Sequence, residues 1–537
     1  MDSRDDNDFT PLAYAVANPS VAVELLSMLI EAGADVNASV DQGKKYPLGL
    51  AACSGNVEAT EFLLDTGASV NAKSPAGYTA LIETIYRLHN SESLLPIIDL
   101  LVHWGADLDC QTDFGELPVT VASRLGRFDA VCLLLNAGAE GAPLNWSELA
   151  RAVAIGSDDD VAHVLSSTGL ESEWDRFGRT PGLLAATVGS IAKGQLLAAY
   201  GWNVNEKGRN EETAVMCCAS ANHVAMMAWL LDKGAEVDAV DDSMNTALIL
   251  AAQNGSADCV RLLLDAGANT KVRNEYEDTA IEVASTTQVV RFLQIAGEDV
   301  GMISQEMKRE FTGLSKYEFL KCHPKEYEAG KRPRYGNANP ERMDIEFWRA
   351  MIRAGCSAYE ARAQFGDTNN LSEPVWCFSR FGCSFTELPD GRIVQIAGEH
   401  EDYYDPDFCI YNDVIVHEAR DEFSIYGYPS ELFRPTDFHT ATYADGYIFI
   451  VGCLGYQGTR DFGMTPIYRL SCSDWSIEVV TTSGDAPGWI YEHRACITGP
   501  NVLCISGGKV AVVRNGEETH EDLERDYMLD LTTMTWK

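Results

Sequence analysis

Through the first 300 or so residues, apolar positions fall into paired helical stripes broken by glycine. In one stretch Leu248, Ile249, Ala251 and Ala252 share a face, Asn254-Gly255 interrupts, and Val260, Leu262, Leu263 and Leu264 form a second stripe. The pattern predicts two short helices closed by Gly267, which reaches left-handed geometry without a Cβ clash. Such a pair cannot bury both stripes alone, so it must stack on copies of itself. The copies are visible: Gly33, Gly67, Gly105, Gly138, Gly169, Gly201, Gly234 and Gly267 recur at a near-constant interval, with one longer step from Gly67 to Gly105. Six are followed by related phrases, among them GADVNA at Gly33, GASVNA at Gly67 and GAEVDA at Gly234. A fixed period of this length means an α-helical solenoid.

The phrases Phe177-Gly178-Arg179-Thr180-Pro181 through Ala186, and Asp8-Phe9-Thr10-Pro11-Leu12-Ala13, resemble the ankyrin repeat. The resemblance covers residues 8–300 as about eight repeats plus a C-terminal cap over 278–293. The copy over 145–173 lacks both the Thr-Pro opening and the Asn/Asp phrase, which predicts a distorted unit. Extra residues at 87–93 explain the longer step to Gly105 and belong between the two helices of the third repeat.

Beyond residue 300 the pattern changes. Residues 301–339 turn polar and partly basic (Lys321, Lys325, Lys331, Arg332, Arg334) and read as a solvated linker. Asn339-Pro340-Glu341 reads as a helix start, with a capping Asn, Pro at the first position and an acid in the first turn. The helical connector over 340–375 carries Ile345, Phe347, Trp348, Met351 and Ile352, too apolar to stand free. From 376 to 537 the period becomes that of strands. Three apolar strands run into glycine, at Gly398, Gly452 and Gly507-Gly508, evenly spaced along the chain. Each is followed by a tyrosine strand (Tyr411, Tyr468, Tyr527) and an aromatic (Phe423, Trp475, Trp536), and His439 and His493 lead the second and third copies. This resembles the kelch repeat and implies an all-β domain of about three four-stranded propeller-type blades. Three blades leave open edges. A homodimer, cover by the connector helix, or continuation of the chain would each satisfy them. The combination resembles bacterial ankyrin-repeat proteins of unassigned function.

Composition narrows the function classes. A formal net charge of −39 argues against nucleic acid and anionic membrane and suits a protein partner with a basic surface. No apolar run approaches membrane-spanning length, and the opening residues have no signal-peptide pattern. The fifteen cysteines are scattered without a CxxC pair and read as reduced thiols of a cytoplasmic protein. No nucleophile elbow, HExxH, P-loop or helix-opening GxGxxG is present, so neither catalysis nor a cofactor is expected.

The expected function is therefore a non-catalytic interaction scaffold, binding through hairpin tips and the inner-helix groove. Tip candidates are Asp41, Ser74, Asp113, Phe114, Arg176, Phe177, Asp241 and Asp242, aromatics as anchors and acids as selectors of a basic partner. Phe114 and Phe177 have an alternative role as filler between repeats. The competing reading is a ligand-, metal- or glycan-binding β domain, with Glu399, His400, Glu401, His439 and His493 as metal candidates.

Overall fold

The computed structural model describes residues 4–5, 8–41, 44–170, 172–298, 300–315, 319–367, 373–400 and 408–537. The chain divides into two compact units, Met1–Ala247 and Leu248–Lys537.

The first unit is a stack of helix pairs, opening with Pro11–Val16 and Val23–Glu31, then Pro47–Cys53 and Val57–Asp65, then Ala80–Arg87 and Leu94–His103. Threonine hydroxyls at Thr10, Thr79, Thr180 and Thr213 cap inner helices, and Pro11 and Pro181 occupy the first turn, where no N–H is needed. The recurring Asn of the glycine phrase has a specific task. Asn37 Nδ2 donates to Gly67 O (3.1 Å) while its Oδ1 accepts from Ser69 N (2.8 Å). Asn71 does the same to Gly105 and Asp107, and Asn205 to Gly234 and Glu236. Each Asn thus pins its repeat to the backbone of the next. Asp109, with no amide to donate, keeps only the bond from Glu140 N.

The unit expected to be distorted keeps its helix pair, Glu148–Ile155 and Asp158–Thr168. Ser147 supplies the cap that a Thr-Pro opening would have given, Ser157 caps the second helix with a capping box, and a 3-10 turn over Ala142–Leu144 precedes the pair. The insertion at 87–93 lies between Ala80–Arg87 and Leu94–His103, as read from the sequence.

The second unit contains the helix Ala257–Asp265, the single helix Thr287–Ile295 and a strand-rich region. The predicted linker and helix start need correction. Residues 301–339 hold helices Gln305–Phe311 and Pro324–Gly330, and buried Arg309 caps the C-terminal carbonyls of a later helix through Ile352 O (3.0 Å) and Arg353 O (2.7 Å). Lys331 pairs with Asp367 (2.8 Å) and Arg334 with Glu341 (2.9 Å) rather than being merely solvated. Asn339 caps no helix. Its side-chain amide pairs in both directions with the backbone of Ile477 (2.8 Å each), and a strand follows it. The connector helix is Glu346–Ala354, with Phe347, Trp348, Met351 and Ile352 fully buried and Trp348 stacked on Trp376 at 4.7 Å.

Three meandering sheets follow. The first contains β1 (Glu341–Arg342), β2 (Ser384–Glu387), β3 (Ile393–Ile396), β4 (Val414–Ala419) and β5 (Glu422–Gly427), in the order β1-β5-β4-β3-β2. The second runs β6 (Thr440–Ala444), β7 (Tyr447–Val451), β8 (Ile467–Ser471) and β9 (Ile477–Val479). After β10 (Ser483–Gly484) and β11 (Trp489–Tyr491), the third is built on β12 (Arg494–Gly499) and β13 (Val502–Ser506). A hairpin of β14 (Lys509–Arg514) and β15 (Glu517–Asp522) pairs with β11 in a small separate sheet. The third sheet then continues with β16 (Tyr527–Asp530) and β17 (Thr535–Trp536), in the order β10-β17-β16-β13-β12. Among the described residues, all strand pairings apart from the parallel β10–β17 pair are antiparallel, and no sheet closes into a barrel.

First strands β2, β6 and β12 lie side by side, β6 in the middle. The Thr287–Ile295 helix joins the two ends of that row. Arg291 Nε meets the Glu387 carboxylate on β2 (2.6 Å) and Gln294 donates to Phe385 O. Just past the helix, buried Glu298 meets Arg494 on β12 (2.9 Å), Lys271 (2.9 Å) and Thr270. Gly297 packs so closely on Arg494 that a Cβ there would come within 3.0 Å of its side chain. This helix and the residues just past it thus contact the first strands of the first and third sheets.

Candidate functional site

Inner helices Pro47–Cys53, Ala80–Arg87 and Pro118–Arg124 stand side by side. The middle helix presents Glu83 and Tyr86 one turn apart, where the helix before carries Leu50 and Cys53 and the helix after carries Val121 and Arg124. The result is a groove of about 750 Å³, lined chiefly by Cys53, Tyr78, Glu83, Tyr86, Phe114 and Arg124. Gly49 makes room for its acid: a Cβ there would stand 2.9 Å from Glu83 Oε2. Burial raises the Glu83 pKa above the usual carboxylate value, with Lys45 and Arg87 drawing it partly back. One wall is a fixed network. Tyr86 donates to Glu116, Arg124 meets both groups (3.0 Å to Glu116), and the guanidinium lies 5.3 Å from the Tyr86 ring centre. Burial and the Glu116 carboxylate push the Tyr86 hydroxyl up to about 12.

Of the predicted tip residues, Phe114 alone lines this groove; it is 73% exposed, its ring 6.4 Å from Tyr78. Ser74 shapes a tip by accepting from Tyr78 N (3.1 Å), and Asp241 does the same for Ser243 and Asn245 (2.9 and 2.8 Å). Asp113 N donates to Ala76 O and Asp242 N to Asn210 O, so both link neighbouring tips by backbone. Asp41 stands in a left-handed turn beside Lys44 and Lys45 (3.7 and 3.8 Å). Arg176 donates to Gly115 O (3.3 Å), and half-buried Phe177 lies under the Arg179 guanidinium at 5.1 Å. Glu83, Tyr86 and Arg124 were missed by the sequence reading. The signal that marks Glu83 is a charge where the two neighbouring inner helices carry Leu50 and Val121.

In the strand region the metal candidates have separate partners. His439 Nε2 meets Ser384 Oγ (2.8 Å) and His493 Nε2 meets Thr440 Oγ1 (2.9 Å), so each histidine ties the start of its sheet to the first strand of the sheet before. His400 Nε2 faces Val375 O (3.2 Å), and Glu401 lies outside the described residues. Burial holds His439 and His493 neutral, their pKa values lowered to about 3. Among the described residues no three His, Cys, Asp or Glu side chains converge on a metal position.

Glu399 instead meets Asp437. Burial raises Glu399 to about 8, with the Asp437 charge and hydrogen bond adding to it; burial raises Asp437 to about 6 against the pull of Gly455 N (2.6 Å) and Arg460. Both folded-state values exceed the ordinary carboxylate range, so the fold binds these protons more tightly than the unfolded chain does. The stability they contribute is present at low pH and lost as pH rises through about 6 and about 8. Between pH 6 and 9, denaturant midpoints should report a loss on the order of 2 kcal/mol that Glu399→Gln largely removes. An unchanged slope in the variant would mean that the pair does not share a proton.

Models of ankyrin repeats match the chain at residues 12–112 and 48–145 (three copies) and at 215–264 (many copies). Ankyrin repeat and KH domain-containing protein mask-1 of Caenorhabditis elegans is 29% identical over 229 residues, 42% of this chain and 8% of that protein. Ankyrin repeat protein nuc-2 of Neurospora crassa is 23% identical over 243 residues, 43% of this chain and 22% of that protein. Neurogenic locus notch homolog protein 2 of Homo sapiens is 31% identical over 223 residues, 39% of this chain and 8% of that protein. The chain thus spans less than a quarter of the length of these relatives. Its N-terminal part is built of ankyrin repeats, modules that mediate protein–protein interaction. No described helix is long and apolar enough to cross a membrane.

Proposed function

We propose that the chain is a non-catalytic interaction scaffold whose N-terminal groove takes a partner segment by a basic side chain. The observation that carries this is Glu83, a half-buried carboxylate at the base of a groove walled by Tyr78 and Tyr86. A lysine or arginine there would lay its stem against the rings and its charge on the acid, while Phe114 anchors the partner at the rim. Lys45 and Arg87 flank the same acid, so long-range attraction comes from the chain-wide charge of −39.

The remaining parts of the reading are proposals of the same kind. The organisation is a solenoid over 8–300, a connecting stretch to 375 and a kelch-like region of three blades over 376–537. The sheet order and the repeated His-to-hydroxyl bonds support the blades. A cytoplasmic protein without nucleic-acid or membrane partners fits the charge and the free cysteines. Self-association through the strand region is the further contact this architecture invites.

Selection of a displayed random-peptide library on the full chain tests the groove. Enriched peptides should share Lys or Arg and bind Glu83→Gln about tenfold more weakly, the loss of one charge-assisted hydrogen bond. Peptides without a basic residue, or unaffected by the substitution, would overturn the proposal.

A further inference from the structure

The third sheet places three sulfur-bearing residues in one row. Cys496 on β12 stands directly opposite Cys504 on β13, and Cys504 directly opposite Met528 on β16. Residues opposite one another on paired strands point to the same face, with Cβ atoms about 5 Å apart. The alternate residues Leu503, Ile505 and Leu529 are fully buried in the core on the other face, so the sulfur row lies on the face turned away from that core. Its middle member is the most enclosed: Cys504 is 7% exposed, Met528 half-buried and Cys496 open to solvent. Burial raises the pKa of the Cys504 thiol, and the neighbouring Cys496 adds to the rise. Asp526 acts on Cys504 as well.

We infer that Cys496, Cys504 and Met528 form a binding site for a soft monovalent metal ion, copper(I) in kind. Two thiols and a thioether are the donor set that selects copper(I) over the harder ions preferring oxygen or imidazole. The floor thiol is fixed by the sheet, the outer thiol can turn toward it, and the unbranched methionine can swing its sulfur over the same point. Binding releases two protons, one from each cysteine, and leaves a complex with one net negative charge; no electron is transferred. The site is distinct from the histidines discussed above, which stand at the starts of β6 and β12 and are occupied by hydroxyl partners. A metal there would tie β12, β13 and β16 together at the end of the sheet row that Arg494 also holds.

The test is anaerobic titration of the reduced full-length protein with copper(I) against a chromophoric chelator. Wild type should withdraw one copper(I) per chain more than Cys496→Ser, and Met528→Leu should weaken that one equivalent at least about tenfold. Cys504→Ser should match Cys496→Ser. Serine at an exposed strand position leaves the fold intact, which the melting temperature checks. Equal uptake by wild type and Cys496→Ser would overturn the site. Full affinity in Met528→Leu would overturn the three-sulfur assignment, leaving a pair of thiols alone.

Discussion

Replacing Arg380 with methionine should destabilise the second unit by about 3–5 kcal/mol, the cost of leaving one member of a buried ion pair alone. The Arg380 side chain is fully enclosed and meets Asp413 through both terminal nitrogens (3.0 Å for Nη2), Ala397 O (3.1 Å) and Cys377 O (3.0 Å). Its guanidinium lies 3.7 Å from the Tyr411 ring centre, and Trp376 Nε1 donates to the same aspartate (2.9 Å). The Asp413 charge and hydrogen bonds outweigh burial and hold the guanidinium ionised. Methionine keeps most of the volume but leaves a buried carboxylate with one indole donor. Asp413→Asn should be destabilising as well, and the double variant should lose less than the sum of the singles. Chemical denaturation of the four proteins measures this; strict additivity would mean the pair is not coupled.

The second large effect is expected at the end of the repeat array. Deleting residues 287–298 should lower the stability of the second unit by more than about 5 kcal/mol, since three fully buried side chains, Val289, Val290 and Leu293, are each worth about 1.5–3 kcal/mol. The ties to Glu387, Phe385 and Arg494 go with them. Arg494→Ala, a milder change at a partly exposed side chain, should cost about 1–2 kcal/mol because Lys271 remains on Glu298. Thermal unfolding followed by tryptophan fluorescence reads both. Unfolding of the deleted chain at the wild-type temperature would mean that the second unit does not depend on the helix.

The repeats were legible in the sequence because their determinants are local and periodic. Glycine is needed at one turn per unit, threonine at one cap, and an asparagine must reach the backbone of the next unit, so the same residues recur once per repeat. The strands ending in Gly398, Gly452 and Gly507 were legible for the same reason. What escaped was set by contacts between distant residues. Asn339 has the features of a helix cap, yet its amide serves Ile477, far along the chain. Arg309 looks like a linker charge and ends up capping the later helix Glu346–Ala354. Glu399 drew attention as part of an acidic loop, whereas the partner that shifts it, Asp437, sits outside that loop. The groove was hidden because Gly49 and Glu83, on different repeats, acquire meaning only when stacking brings them together. Its one visible trace was a charged residue, Glu83, where the two neighbouring inner helices carry Leu50 and Val121.

Under the proposed function, partners are held in the groove of the N-terminal repeats. The most direct measurement is photo-crosslinking in cells from a benzophenone side chain placed at position 114, compared with one at exposed Met28 on an outer helix and one at exposed Val479 in the strand region. A partner seated in the groove should give a discrete adduct from position 114 that disappears when Glu83→Gln is introduced, and no matching adduct from the other two positions. An adduct that forms from position 479 instead, or that persists from 114 without the Glu83 carboxylate, would contradict it.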